Sequence, residues 1–104
     1  MTQEQFNMMA AMLAADVRER PPTPGCPSGF SAWHTAQRLM DEEELAGDET
    51  AVHRTGGQLQ RKGLAVHRTV LGVTRWTLTE DGRRAVRGQL ARLDKTETRE
   101  KVPA

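Results

Sequence analysis

Hydrophobic residues recur at helical spacing over the first part of the chain. The stripe consists of Phe6, Met9, Leu13 and Val17, widened by Met8 and Met12. Together with Thr2 and Gln5, which resemble a capping box, this pattern predicts a helix over residues 2–19. We assign one side of the stripe to the domain core. The side with Met8 and Met12 stays open between the core and a dimer contact, because methionine packs adaptably at interfaces.

A proline-rich segment over residues 21–29 ends this helix, because proline lacks a backbone N–H and fixes φ. Beyond it, Phe30, Trp33 and Met40 fall at helical spacing and predict a second helix over residues 30–43. Trp33 is expected to be the main aromatic residue of the core. The acidic residues that follow oppose the dipole at a helix C-terminus, so the helix is expected to end near Met40 or restart as a short turn.

Residues 50–62 form a basic segment with a helical period. Val52 and Leu59 are seven positions apart in it, which places both on one helical face. The pair Gly56 and Gly57 lowers the helix propensity by about 1 kcal/mol per glycine relative to alanine. Either the missing side chains let another helix or a phosphate backbone come close, or this helix is weak and orders fully on binding.

The hydrophobic period then changes from about 3.6 to 2. This change predicts two antiparallel strands over residues 64–70 and 73–79, joined by a tight turn at Leu71 and Gly72. The alternation predicts that four side chains of the hairpin face the helices: Leu64, Val66, Trp76 and Leu78.

A last helix is predicted after a capping Thr79. Its apolar stripe consists of Val86, Leu90 and Leu93. Residues 96–104 are charged and lack an apolar period, so they are predicted to form a disordered tail. The pattern therefore predicts a single domain over residues 1–95.

The charge of the chain changes sign along its length. The 104 residues carry 15 basic and 14 acidic side chains, a net charge of +1. Residues 1–49 hold three basic and nine acidic residues, a net of −6, whereas residues 50–92 hold nine basic and two acidic residues, a net of +7. The second half is therefore able to present a cationic face to phosphates. Alternatively, the two halves attract each other on folding, or the partner is an acidic protein.

Several classes of protein are excluded by the same composition. No apolar run approaches the length of a transmembrane helix, and no signal-peptide pattern is present at the N-terminus. A single cysteine, Cys26, favours a reducing, cytoplasmic location, with an intermolecular disulfide as the lesser alternative. Cys26 and the histidines His34, His53 and His67 lack metal-ligand spacing. We expect no metal, no cofactor, no catalytic residue and no enzymatic activity.

Three motifs stand in and after the basic segment. Thr50-Ala51-Val52-His53-Arg54 opens it, Leu59 with Arg61-Lys62-Gly63-Leu64 closes it, and Leu78-Thr79-Glu80-Asp81-Gly82 follows the hairpin. With these motifs the chain resembles the winged helix-turn-helix regulators, especially the multiple-antibiotic-resistance type (MarR) and related families. The resemblance implies an α+β, mostly α fold of about four helices with a two-stranded antiparallel β-hairpin wing. It also implies sequence-specific binding of double-stranded DNA as a transcriptional regulator, often a repressor.

A helix in the major groove reads base edges with Arg, Lys, Gln, Asn or His, while other cations contact phosphates. We therefore expect helix 50–62 to lie in the major groove and hairpin 64–79 to act as the wing. The candidates for base contacts are Thr50, His53, Arg54 and Gln58. The candidates for phosphate contacts are Arg61, Lys62, Arg68 and Arg75, of which the resemblance implies that the last two are wing residues.

The hairpin tip departs from the family pattern because it is short and apolar, with Val70, Leu71 and Val73. The alternative function is therefore a winged-helix module that binds a protein through this tip or through the acidic segment. A regulator would act as a monomer or as a homodimer through the first and last helices, without a membrane. The size and arginine-rich composition suit a small phage or actinobacterial regulator in a bacterial or phage-infected cytoplasm.

Overall fold

The computed structural model describes residues 1–25, 30–42 and 48–101, with side chains described up to residue 93. Within these residues the fold is α+β and mostly helical, with four helices and a three-stranded antiparallel sheet. The elements are α1 (Gln3–Glu19), β1 (His34–Thr35), α2 (Ala36–Met40), α3 (Glu49–Arg61), β2 (Ala65–Val70), β3 (Val73–Leu78) and α4 (Glu80–Lys101). No helix among the described residues is both long and apolar enough to cross a bilayer.

The sheet has the order β1-β3-β2, so the last strand of the sequence lies in its centre. β2 and β3 form the predicted antiparallel hairpin, with Ala65 opposite Leu78 and Val70 opposite Val73. The turn places Leu71 at φ 53 and Gly72 at φ 78, two positive values that match the right-handed twist of a two-residue hairpin. The short strand β1 was not predicted, and it extends the sheet on the other edge of β3.

α1 buries its methionines inside this domain. The Thr2 hydroxyl accepts a hydrogen bond from the Gln5 backbone N–H, and the Gln5 side-chain oxygen accepts one from the Thr2 backbone N–H. These two bonds confirm the predicted capping box. Met8 and Met12 belong to the buried core cluster, so the open question about that side of the helix resolves in favour of the core. Val17, by contrast, is exposed, because the apolar face of α1 ends before it.

The predicted second helix over residues 30–43 is wrong in its first part. Only Ala36–Met40 is helical, and Thr35 caps it by accepting from the Arg38 N–H. The residues just before it are extended because His34 and Thr35 pair with β3. Consequently Phe30 is 49% exposed, and the main core aromatic is Trp76, at 3% exposure, instead of Trp33.

The acidic run that follows α2 is described in part. Asp41 caps α2, which agrees with a helix end near Met40. Glu42 is buried, with Arg38 Nη1 at 2.6 Å from one carboxylate oxygen and Arg18 Nη1 at 2.7 Å from the other, the latter as an ion pair without hydrogen-bond geometry. Glu43, Glu44 and Cys26 lie outside the described residues.

The inward face of β2 is the opposite of the one predicted. Ala65 is fully buried opposite Leu78, whereas Val66 is 37% exposed. Leu64 lies before the strand and packs against the core from there. The two-residue turn pairs Ala65 with Leu78, and residues directly opposite each other share a face, so the inward side that holds Leu78 takes Ala65 and not Val66.

A close backbone contact joins the base of the hairpin to α4. Thr79 Oγ1 accepts from the Gly82 N–H at 3.0 Å, which confirms the predicted cap, and donates to the Gly63 carbonyl at 2.7 Å. The Thr79 N–H donates to the Leu64 carbonyl at 3.1 Å. A Cβ on Gly82 would lie 1.9 Å from that carbonyl oxygen, so this position requires glycine. The Leu-Thr-x-x-Gly motif thus has a structural role.

α4 leaves the core along its length. Val86 is buried, Leu90 is partly buried against the core, and Leu93 is exposed. The helix continues to Lys101, across the start of the segment predicted to be a disordered tail, and residues 102–104 lie outside the described residues. The domain boundary at residue 95 stays a prediction.

Candidate nucleic-acid interface

The exposed side of α3 carries a row of four residues. The helix begins after Asp48, whose carboxylate accepts from the Ala51 N–H at 2.8 Å. Its inner side buries Val52, Thr55, Gly56 and Leu59. The opposite side, at helical spacing, presents Thr50, Arg54, Gly57 and Arg61, which we call the outer row. The hydrophobic period therefore directs two of the predicted base contacts and one predicted phosphate contact to the same side.

Arg54 and Arg61 are the cations of the outer row, and both are exposed. Within the part of the chain whose side chains are described, neither guanidinium forms an ion pair. Arg18 and Arg38 differ, because they share the carboxylate of Glu42. No described carboxylate therefore neutralises the positive charge of the outer row, which can attract an anion.

The two adjacent glycines of α3 have different surroundings. A Cβ on Gly56 would lie 2.7 Å from two atoms of the Trp76 ring, so the indole packs directly on the helix backbone. A Cβ on Gly57 would meet nothing within 4 Å. Close approach therefore explains Gly56, and the approaching group is an aromatic ring of β3. No packing contact accounts for Gly57, which lies at the centre of the outer row.

His53 lies beside the outer row and is held by two neighbours. Its Nδ1 accepts from the indole N–H of Trp76 at 3.2 Å, and the two rings are tilted with centroids 6.1 Å apart. Its Nε2 is 3.5 Å from a carboxylate oxygen of Glu49, one turn earlier on α3. The His53 side chain is 36% exposed, so the imidazole lies at the surface of the domain.

A groove of about 550 Å³ separates α3 from the hairpin. It is lined by His53, Gly57, Gln60, Arg61, His67, Thr74 and Trp76. Across it, His67 Nδ1 and the Gln60 side chain are hydrogen-bonded, which ties β2 to α3. The groove opens beside the outer row, so a ligand that lies along α3 would also cover its mouth.

Two further candidates, Gln58 and Lys62, are engaged by α1. Gln58 Oε1 accepts from Gln5 Nε2 at 2.9 Å, and Lys62 Nζ donates to Gln5 Oε1 at 3.1 Å. Gln5 itself is buried, so both contacts stabilise the packing of α1 on α3. These side chains lie at the edge of the helix next to α1, away from the outer row.

Arg68 and Arg75 lie on the other face of the hairpin. They are directly opposite each other in the register, on the face that alternates with the one bearing His67 and Trp76. The guanidinium of Arg68 stacks over the Trp33 ring at 4.4 Å from its centroid. The structure therefore divides the predicted phosphate contacts, with Arg61 on the outer row and this pair on the face turned away from α3.

A buried polar cluster around Asp16 was missed by the sequence analysis. Asp16 is 1% exposed, and its carboxylate binds His34 Nε2 at 2.6 Å, the Ala32 N–H at 2.9 Å and Arg83 Nη1 at 2.9 Å. One signal was available, since Asp16 continues the apolar spacing of α1, and a buried acid requires partners. His34 is also buried, so this cluster has no access for a substrate and stabilises the fold.

Within the described residues, no group of three or more His, Cys, Asp or Glu side chains is arranged to hold a metal ion. No protein-family model matches the chain, and no curated protein or solved structure matches it either.

Proposed function

We propose that this chain is a winged helix-turn-helix protein that binds double-stranded DNA with sequence preference and regulates transcription. The outer row of α3 carries this proposal, because it presents Arg54 and Arg61, whose guanidinium groups form no ion pair with any side chain that the structure describes. A helix with its side chains is about 10–12 Å across, which matches the width of about 12 Å of the major groove. The outer row would then meet base edges, with the β2–β3 hairpin beside the helix as the wing.

The order of elements supports the winged-helix part of the proposal. A short helix, α2, precedes α3, and the hairpin follows α3 after a short turn, as in helix-turn-helix domains with an appended wing. The strand β1 extends the sheet beside β3. The scaffold holds α3 by its buried side and its two edges, and it leaves Thr50, Arg54 and Arg61 of the outer row exposed.

The contacts of the site are assigned from these positions. Thr50, His53 and Arg54 are proposed base contacts, and Arg61, at the end of the row, is a proposed phosphate contact. Gln58 and Lys62 are tied to α1 and contribute at most to the edge of the interface. Arg68 and Arg75 are exposed on the outer face of the hairpin, where phosphate contact requires the DNA to reach beyond the wing.

The test is a titration of a fluorescent duplex of random sequence at several salt concentrations. Each lost phosphate contact lowers the slope of log affinity against log salt by about 0.9. The variant Arg54→Ala/Arg61→Ala is expected to bind at least roughly 30-fold more weakly, because two arginine contacts of about 1–3 kcal/mol each sum to about 2 kcal/mol or more. Its affinity should also depend less on salt than that of the wild type.

Arg84→Ala is the matched control, since Arg84 is an exposed arginine on α4 that pairs with Glu80 and Asp81. It should bind DNA like the wild type. Selection from a random duplex library should converge on a motif with the wild type and on a less defined one with Arg54→Ala. Wild-type binding that is absent or independent of salt would overturn the proposal, as would equal losses in both variants.

A second candidate function has its own observation, the hairpin tip. Leu71 is 98% exposed, and Val70 and Val73, which pair directly beside the turn, are exposed next to it. Such an apolar cluster on a turn is typical of a protein contact. In this alternative the winged helix binds a protein through the tip, and the chain would pass through a heparin column at low salt.

A homodimer through α1 and α4 is a third element of the proposal. Met8 and Met12 are used by the core, so α1 has less apolar surface for a partner than the sequence suggested. α4 carries the exposed Leu93 beyond the core and would provide the contact. Sedimentation at two protein concentrations distinguishes the monomer from the dimer.

A further inference from the structure

The hydrogen bond between Trp76 and His53 determines which nitrogen of the imidazole carries the proton. An indole N–H is a donor and never an acceptor. Since Trp76 Nε1 lies 3.2 Å from His53 Nδ1, that nitrogen must offer its lone pair. The proton of the neutral imidazole is then on Nε2.

Trp76 is well placed to impose this choice. It is 3% exposed, its ring packs on the backbone of α3 at Gly56, and its own position in β3 is paired on both sides, with His34 and His67. The indole therefore cannot rotate to donate its N–H to another acceptor without disturbing the packing of the core. His53, in contrast, is a surface residue whose ring orientation depends on this bond.

The outer nitrogen of His53 faces a weakly bound acceptor. Glu49 Oε1 lies 3.5 Å away, longer than a good N–H···O bond, and the Glu49 side chain is 74% exposed. Of the other charged or titratable groups around the groove, His67 contacts the Trp76 ring, with centroids 5.0 Å apart, and Arg61 lies two turns further along α3. An incoming acceptor can therefore replace Glu49 at Nε2.

We propose that Trp76 is a positioning residue that holds His53 as its Nε2–H tautomer, so that His53 offers a hydrogen-bond donor alone to a base in the major groove. This inference rests on the proposed DNA-binding function. The matching base edges are acceptors, namely guanine O6 or N7, adenine N7 or thymine O4. The amino group of cytosine N4 is a donor and would face the His53 N–H without a partner, so cytosine is disfavoured at this position.

The first measurement needs no DNA. Two-bond ¹H–¹⁵N correlation spectra at slightly alkaline pH distinguish the two neutral tautomers by the shifts of the ring nitrogens. The wild type is expected to show His53 with a proton on Nε2 and a bare Nδ1. Trp76→Phe, which lacks the N–H, should shift the two nitrogens toward a mixture of tautomers. A wild-type spectrum with the proton on Nδ1 would overturn the inference.

Two substitutions at His53 test its proposed hydrogen bond to a base, and they leave the buried Trp76 unchanged. In His53→Gln the amide N–H₂ takes the place of the Nε2 donor, whereas in His53→Asn the amide oxygen takes the place of Nδ1 and still accepts from Trp76. The measured quantity is the ratio of affinities for duplexes that differ only at the base pair contacted by His53. We expect His53→Gln to keep this ratio and His53→Asn to reduce it about tenfold, which is the effect of one hydrogen bond. If His53 serves only to accept the hydrogen bond from Trp76, His53→Asn should keep the base preference better than His53→Gln.

The outcomes separate this inference from the function on which it rests. Sequence-specific binding that is equal in the wild type, His53→Asn and His53→Gln would overturn the role of His53 and leave the DNA-binding proposal intact. If the wild type does not bind duplex DNA, the DNA-binding proposal and the role of His53 in base contact are both overturned, even when the tautomer is as expected.

Discussion

Two regions of this domain use charged residues in opposite ways. Between α1, β1 and α4, Asp16 is almost fully buried, and its carboxylate binds His34, the Ala32 N–H and Arg83, whose side chain is 11% exposed. On the outer row of α3, Arg54 and Arg61 are exposed and lie apart from the described carboxylates. The first region has enclosed its charges within the fold, whereas the second presents them to solvent.

The difference indicates where to look for function in a small domain. A buried carboxylate is tolerated because three donors compensate for its lost hydration, so its substitution should affect stability. An exposed arginine without a partner contributes little to stability, so its substitution should affect binding alone. The comparison therefore predicts that stability and binding respond to different sets of residues.

The largest expected effect is that of Asp16→Asn on stability. The amide keeps the shape of the side chain but removes the charge that Arg83 and His34 contact. Removing one partner of a buried ion pair costs about 3–5 kcal/mol. Urea unfolding followed by tryptophan fluorescence measures the change.

Glu80→Gln, at a largely exposed carboxylate on α4, is the control and should change stability by less than about 0.5 kcal/mol. A loss below about 1 kcal/mol for Asp16→Asn would contradict the assignment of this region to stability.

The adjacent glycines of α3 offer a matched pair with intermediate effects. Gly56→Ala places a methyl group 2.7 Å from the Trp76 ring and is expected to cost about 1–2 kcal/mol, because overpacking outweighs the gain in helix propensity. Gly57→Ala meets open space and should stabilise the helix by up to about 1 kcal/mol. Thermal unfolding gives both values.

The same pair separates stability from binding. The methyl group of Gly57→Ala lies in the outer row, so the more stable protein should bind duplex DNA more weakly in the titration described above. Equal stabilities of the two variants would show that Trp76 does not restrict Gly56. Unchanged DNA affinity of Gly57→Ala would remove Gly57 from the interface.

The smallest expected effect is that of Leu71→Asn at the hairpin tip. Leucine at φ 53 is in a conformation that asparagine adopts more readily, so the variant should be about 0.5–1 kcal/mol more stable. Leu71→Ala removes the side chain without relieving the backbone and serves as the control. Urea unfolding of both variants separates the two contributions, and a destabilised Leu71→Asn would show that the leucine side chain supports the fold.

Much of the fold was predictable because its signals are local and repeated. The methionine-rich stripe, the basic amphipathic segment and the alternation around Leu71 and Gly72 each cover several residues, and they correspond to α1, α3 and the hairpin. Likewise the caps at Thr2 and Thr79 depend on residues three positions away. Errors in these elements were confined to their ends and to the inward face of β2.

Features that depend on distant residues were not predictable in this way. Trp33 and Trp76 look equivalent in the sequence, and the pairing of His34 with β3 decides that the second is buried. The cluster around Asp16 joins α1 to a residue of α4, far along the chain. Among the site residues, the helical period placed Thr50, Arg54 and Arg61 together, but the contacts of Gln58 and Lys62 with Gln5 were not visible in the sequence.

The contact between Gly82 and the Leu64 carbonyl has a mechanical consequence. Side chains at an interface can change rotamer when two elements shift. The backbone at Gly82 contacts the Leu64 carbonyl directly, so no side chain lies between them to adjust. The angle between α4 and the base of the hairpin is therefore restricted by direct contact between two backbones. A substitution that adds a Cβ at Gly82 would force these two elements apart.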